Sequence, residues 1–321
     1  DAKADPQRRP VTSAATLPKP KPPALSRWFE LQSGTMGARY RSIENSKGVQ
    51  TNNQMQGTGQ FKARVKFDPK GRMTVNAVYA TGNSFTGGWN TTGVGTGDLN
   101  KHAYLKQLYV ALSPGTGVEL SYGSMGFVRG EGTEITTYDN DGYMIGERIS
   151  VKRPKDFYLD EFGATRTYLG DPKPSVTDRY HRVFGGRNYY QIFGTKRFNK
   201  YVAVSADYTR LSGVPYWHAA FSAKTPAARV IDTVRVETYS RYGSRSGAGY
   251  AIYGEKAVVK RVTFGLGYAN IDPLAPTLNA DRFARGKRFY ETVSIKLTPE
   301  FTAQVFWTQA VGNAIVIPNQ R

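Results

Sequence analysis

The residues with the clearest chemistry in this chain are cations that alternate with apolar side chains. Within residues 61–67, Lys62, Arg64 and Lys66 take every second position, and apolar side chains take the positions between them. Successive side chains of a β-strand point to opposite faces, so this spacing gathers the cations on one face. A row of ammonium and guanidinium groups attracts carboxylates and phosphates. The chemistry that this pattern predicts is therefore attraction of anions.

The same alternation recurs in later segments, including 143–152 and 229–242. A Lys or Arg that faced lipid at mid-membrane would cost about 2–4 kcal/mol, so we expect these cations to face an aqueous interior. The cations assigned to this interior are Arg39, Arg41, Lys62, Arg64, Lys66, Arg148, Lys152, Arg235, Arg241 and Arg261.

One strand needs an irregularity to keep its cations on that face. Arg39 and Arg41 fall out of step with the apolar residues Phe29 and Leu31. A β-bulge inserts one extra residue and so reverses the phase of the side chains that follow it. We therefore predict a bulge marked by the glycines at 34 and 37.

The elements that position these cations are long hairpins. Soluble strands usually run about 5–6 residues, whereas the arms of the hairpin at 61–79 run to about ten, which matches a tilted strand that crosses a bilayer. About fifteen such spans follow Trp28, with short turns at one end and mostly long polar loops at the other, a pattern typical of outer-membrane barrels. We predict an all-β, antiparallel, up-and-down transmembrane barrel of about sixteen strands, with fourteen as the alternative. Residues 315–317 would open the sixteenth strand.

The composition is consistent with this fold class. The chain has 321 residues, no cysteine, 13% aromatic residues and a formal net charge of +19. It contains no apolar run of about 18 residues, which excludes a transmembrane helix. A basic chain of this kind can attract nucleic acid, an anionic membrane surface or an anionic solute.

The first 27 residues differ from the rest because they are rich in Pro and cations and show no strand or helix period. We predict that residues 1–27 form a disordered, extended periplasmic tail and that residues 28–321 form the barrel. A binding role of the tail toward a periplasmic partner or a cell-wall polymer is the alternative. The first residue is Asp1 and not Met, which predicts an exported chain whose signal peptide has been removed.

Two stretches carry a resemblance to a known family. YGEKAVVKRVTFGLGYANI, at 253–271, and IKLTPEFTAQVFW, at 295–307, resemble the periplasmic-turn hairpins of bacterial outer-membrane porins and alginate-export-type barrels. The alginate-export family has longer loops and usually more strands than this chain. The resemblance implies a water-filled channel in the outer membrane, in contact with its lipid, for passive diffusion of small hydrophilic and especially anionic solutes. It also implies a homotrimer, with no cofactor and no catalysed reaction.

Porins commonly fold their third extracellular loop into the lumen, and here that loop is residues 129–143. By this resemblance its acids would face the basic wall across a narrow passage. These acids are Glu131, Glu134, Asp139 and Asp141. The alternatives are a solvated surface turn and a calcium-binding acidic loop.

Other function classes are weighed against the channel. A catalytic barrel would need a site built from His102, His181 or His218, and no nucleophile motif accompanies them. The three histidines are far apart in sequence and show no metal-ligand spacing. A soluble basic β protein that binds polyanions and a non-conducting structural or adhesive barrel remain as alternatives. Nucleic-acid binding is not expected, because the cations alternate with apolar residues and do not form a patch with stacking aromatics.

Overall fold

A computed structural model describes residues 27–44, 47–81, 103–133, 143–152, 157–170, 185–225, 230–243, 246–272 and 286–312. Among these residues, no helix is long and apolar enough to cross a membrane. The predicted tail up to residue 26 and the predicted sixteenth strand lie outside the described residues.

The described part of the chain forms one sheet of 15 strands, in which every strand pairs with the next one in sequence. All of these pairings are antiparallel. The strands are β1 (Phe29–Glu44), β2 (Gln50–Lys66), β3 (Met73–Thr81), β4 (Ala103–Gly115), β5 (Val118–Met125), β6 (Tyr143–Lys152), β7 (Glu161–Gly170), β8 (Tyr189–Arg197), β9 (Val202–Leu211), β10 (Val214–Lys224), β11 (Thr233–Arg241), β12 (Gly247–Val259), β13 (Val262–Ile271), β14 (Gly286–Lys296) and β15 (Thr302–Ala310).

The predicted up-and-down antiparallel architecture is confirmed, with one strand fewer than the sixteen expected and one more than the alternative of fourteen. Within the described residues β1 and β15 are not paired with each other, so this part of the chain is an unclosed barrel wall.

The two faces of the sheet differ as the alternation predicts. On β3, Thr74 and Asn76 are each 4% exposed, whereas Met73 and Tyr79 on the opposite face are 44% and 51% exposed. The buried residues of the sheet include many Thr and Ser side chains together with Ala and Tyr, whereas the other face exposes many aliphatic and aromatic side chains. The polar face is the inner one, because a segment of the chain crosses the interior and contacts it.

Aromatic rings on the inner face lie over glycines of the neighbouring strand. Phe193 pairs with Gly163, and Tyr290 pairs with Gly267. A Cβ placed on either glycine would lie 2.1 Å from a carbon of Phe193 or 2.2 Å from a carbon of Tyr290. The missing side chains therefore let these rings lie flat against the wall, where they are almost fully buried.

The first hairpin differs from the sequence prediction in two details. Residues 50–60 belong mostly to the polar stretch 44–57 and were not predicted as strand, yet they form the first part of β2. They can do so because β1 extends to Glu44 and supplies the backbone hydrogen-bonding partners along their whole length. The bulge predicted between Leu31 and Arg39 is present, but it lies at Gln32, between Leu31 and Ser33, and the glycines at 34 and 37 do not mark it.

Candidate channel lining

The inner wall of β2 and β3 holds its cations through polar neighbours. Arg64 Nε donates a hydrogen bond of 3.0 Å to Asn76 Oδ1, and Asn76 Nδ2 donates one of 2.9 Å to Thr74 Oγ1. Lys66 Nζ lies 3.1 Å from a carboxylate oxygen of Glu30 on β1. Lys62 precedes them on the same face of β2 and is exposed.

Arg148 is bonded to the neighbouring strand and to the connection that follows β5. Its Nε donates a hydrogen bond of 3.2 Å to Thr165 Oγ1 on β7, and one of its Nη groups donates to the carbonyl of Gly126. Gly126 follows directly after β5, so Arg148 ties the start of the next connection to the wall. On the same face, Lys152 Nζ lies 3.5 Å from a carboxylate oxygen of Glu161.

Residues 126–133 leave β5 and run across the interior, and we call them the inward segment. At its far end the backbone N–H of Glu131 donates to Thr195 Oγ1 on β8 at 3.4 Å. Ser205 Oγ on β9 donates to the carbonyl of Glu131 at 2.8 Å. Arg197 Nε donates to the Glu131 carboxylate. The inward segment is therefore fixed to the inner wall three and four strands along the sheet from β5, where it begins.

Glycine is required where the inward segment touches the wall. A Cβ on Gly130 would lie 2.5 Å from Ser205 Cβ and 3.3 Å from Thr195 Oγ1. This close approach lets the backbone lie directly against β8 and β9 and bond to both strands.

The last two predicted cations on described strands lie against aromatic rings. Arg235 lies with its guanidinium carbon 6.0 Å from the ring centre of Tyr253, and Arg241 lies 5.9 Å from that of Tyr216. Arg241 is 9% exposed, so little of its charge faces the lumen. Arg261 is not on β13 as predicted but in the exposed turn before it, because β13 begins at Val262.

Several other candidates lie beyond what the structure describes. The backbones of Arg39 and Arg41 pair with Gln56 and Gln54, and their side chains are outside the described part. Three of the predicted loop acids and two of the three histidines also lie outside the described residues. They are Glu134, Asp139, Asp141, His102 and His181.

Sequence reasoning missed a polar cluster on the inner wall of β9, β10 and β11. His218 Nδ1 lies 3.0 Å from Asp207 Oδ2, and His218 Nε2 lies 3.2 Å from Glu237 Oε2. All three side chains are nearly buried. The contact between Asp207 and His218 could have been predicted from the two-residue turn at 212–213. Residues at equal distances before and after this turn pair with each other, and these two are such a pair.

Comparison with known proteins gives a likeness in structure alone. No protein-family model matches the chain, and a search of curated proteins found no match. Among solved structures, it is similar to the OmpF porin of Salmonella typhi, with a TM-score of 0.56 and 11% identity over 89% of this chain and 91% of that one. A mutant of the porin of Rh. blastica gives a TM-score of 0.56 and 11% identity, over 88% and 94% of the two chains.

The OccK8 protein of Pseudomonas aeruginosa gives a TM-score of 0.53 and 11% identity over 85% and 80% of the two chains. This chain has the porin fold. The inward segment belongs to the connection between β5 and β6. This is the third connection at the end of the sheet where β1 connects to β2 and β3 connects to β4. This is the connection for which the sequence resemblance implied an inward loop, and Glu131 is the one predicted acid whose side chain the structure describes.

Proposed function

We propose that the chain spans a Gram-negative outer membrane and forms a water-filled channel through which small hydrophilic solutes diffuse passively. The observation that carries this proposal is one sheet with an apolar outer face and a polar inner face, to which the inward segment is anchored. Hydrocarbon accepts the outer face, and the inner face can hydrate a lumen. The likeness in fold to porins from several bacteria supports the proposal.

We further propose a weak preference for anions. The formal net charge of +19 and the inward Lys62, Arg64 and Arg148 support it, because low-dielectric walls focus the field of charges that line a narrow passage. The preference is weak because Glu30, Glu161 and other acids neutralise part of the same wall. The proposal includes no catalysed reaction and no cofactor, since solute moves down its own gradient. A homotrimer is proposed from the resemblance alone.

The proposal is tested by adding the purified, detergent-solubilised chain to planar lipid bilayers and recording single-channel currents. We expect stepwise conductance increases with protein, and none with the same sample after heat unfolding. Protein that is folded by circular dichroism, inserts into vesicles and gives no current steps would refute the channel and favour a structural barrel. Protein that stays in solution without detergent would refute the membrane location.

A further inference from the structure

The outer face of β5 to β9 carries charges where hydrocarbon-facing groups are expected. The pairing register places one residue from each of these five strands in a single row. The members of this upper row are Tyr122, Glu147, Arg166, Tyr190 and Arg210. They alternate with the inward Arg148 and Thr165, so the upper row belongs to the outer face.

The upper row has an exposed excess of positive charge. The Glu147 carboxylate lies 3.0 Å from Arg187 Nη2 and 3.6 Å from Arg166 Nε. The Arg187 side chain is only 10% exposed, whereas that of Arg166 is 64% exposed. Arg210 is also exposed, and its Nε donates to the Gly213 carbonyl at 3.3 Å. Two guanidinium groups therefore remain accessible on either side of Tyr190.

An apolar groove of about 640 Å³ lies beside the upper row. The groove runs along a second row of outward residues, two positions from the upper row on each strand and further from the long-loop end. The members of this lower row are Leu120, Ile149, Ala164, Ile192 and Tyr208. Ala164 pairs with Ile149 on one side and Ile192 on the other, so its small side chain leaves a trough between two large ones.

We propose that this surface binds an anionic, phosphorylated membrane lipid, with its acyl chain in the groove over Ala164 and its phosphate between Arg166 and Arg210. Charge at the long-loop end and apolar surface toward mid-membrane reproduce the polarity of a lipid. Adjacent strands lie about 4.8 Å apart, so the backbones of the two arginines are separated by about 10 Å, a span that their long side chains can close around one phosphate. The cost of an outward Arg also falls to about 0–1 kcal/mol near the interface.

This inference rests on the membrane location proposed above and not on channel activity. The test is native mass spectrometry of the full chain after incubation with phosphatidylglycerol, phosphatidylcholine of the same acyl chains, or inorganic phosphate. We expect phosphatidylglycerol to be retained at least about tenfold more than phosphatidylcholine, and phosphate alone not to be retained. R166Q with R210Q should abolish this preference, and A164F should lower retention of both lipids.

The matched control is R72Q with K260Q, which removes the same charge from exposed turns at the other end of the barrel. This control should keep the lipid preference, and channel currents should be unchanged in both double variants. Retention that survives R166Q with R210Q, or that is lost equally in the control, would overturn the proposal. A loss of oligomers in R166Q with R210Q without a change in bound lipid would overturn it too, since the face would then contact another copy of the chain.

Discussion

Glu131 and Arg197 are 66 residues apart in sequence, and their side chains meet inside the barrel. Glu131 lies on the inward segment and Arg197 at the short-turn end of β8. With the backbone contacts to Thr195 and Ser205, this ion pair holds the inward segment against the wall. In the proposed channel, the position of the inward segment therefore depends on a few contacts that can be removed one at a time.

Glu131→Gln should loosen the inward segment. Both side chains of the ion pair are about one third exposed, so we expect a loss of about 1 kcal/mol in the docking of the segment. Single-channel recordings should show noisier open-channel currents, and Arg197→Gln should have the same effect. Glu44→Gln, at the exposed end of β1, serves as the control. Currents as quiet as those of the unmodified chain in both variants would show that the ion pair does not hold the segment.

Reversing charge on the inner wall should change ion selectivity. Arg64→Glu together with Arg148→Glu should shift the reversal potential in a salt gradient toward cation preference, because the field in the passage changes sign locally. Because Arg148 is extensively bonded, Lys62→Glu provides a milder variant on an exposed inner position. Lys260→Glu, in an exposed turn, is the control. If the double variant and Lys62→Glu both keep the original reversal potential, these cations do not line the passage.

Local pattern was sufficient to predict most of the strands. The alternation at 143–152 predicted β6 to the residue, because Gly142 directly precedes it and Pro154 soon follows it. The start of β2 escaped prediction, since residues 50–60 are polar on both faces and only pairing with β1 makes them strand. Apolar alternation predicts the part of a strand that faces hydrocarbon. It does not predict the part of the same strand that extends beyond the hydrocarbon layer.

The site was harder to predict than the fold. The inward cations of β2 and β6 follow from parity along a single strand. Contacts between strands, such as Asp207 with His218, require the register of a hairpin, and the ion pair of Glu131 with Arg197 requires the path of a loop. No sequence pattern sets that path, since it depends on the close approach that Gly130 allows.

Gly163→Ala should destabilise the barrel or displace a ring into the lumen. The new methyl group would overlap the ring of Phe193, and overpacking of this kind costs about 1–3 kcal/mol. We expect a lower thermal unfolding midpoint, restored in part when Phe193→Ala is added. Gly115→Ala is the matched control, because no atom lies within 4 Å of a Cβ built there. Equal midpoints for the two alanine variants would contradict the packing of the ring over glycine.

His218→Ala should destabilise the wall of β9 to β11. The imidazole lies between the carboxylates of Asp207 and Glu237, and its removal leaves two buried acids facing each other. Loss of one member of such a buried set typically costs about 3–5 kcal/mol. Replacing the acids as well, in D207N/H218A/E237Q, should recover much of the loss in urea unfolding. A triple variant no more stable than His218→Ala would show that repulsion between the acids is not the cause.

Acid should remove a stabilising contact at the turn between β10 and β11. Lys256 Nζ donates a hydrogen bond of 2.7 Å to Asp232 Oδ1, and this bond, with one from the backbone N–H of Ala257, holds the pKa of Asp232 below its ordinary 3.8. Because the pKa of Asp232 is lower in the folded chain than in the unfolded chain, the contact stabilises the folded state at any pH above the unfolded pKa. This contribution disappears as the pH falls through the folded pKa.

The difference in thermal unfolding midpoint between the unmodified chain and Asp232→Asn should therefore be constant at neutral pH. It should shrink as the pH falls below about 3.8, where the unfolded chain takes up the proton first. Lys256→Met should reproduce this loss at neutral pH, since it removes the donor and leaves the carboxylate. A midpoint difference that persists unchanged at the acid end would show that the Asp232 carboxylate contributes by packing and not by its charge.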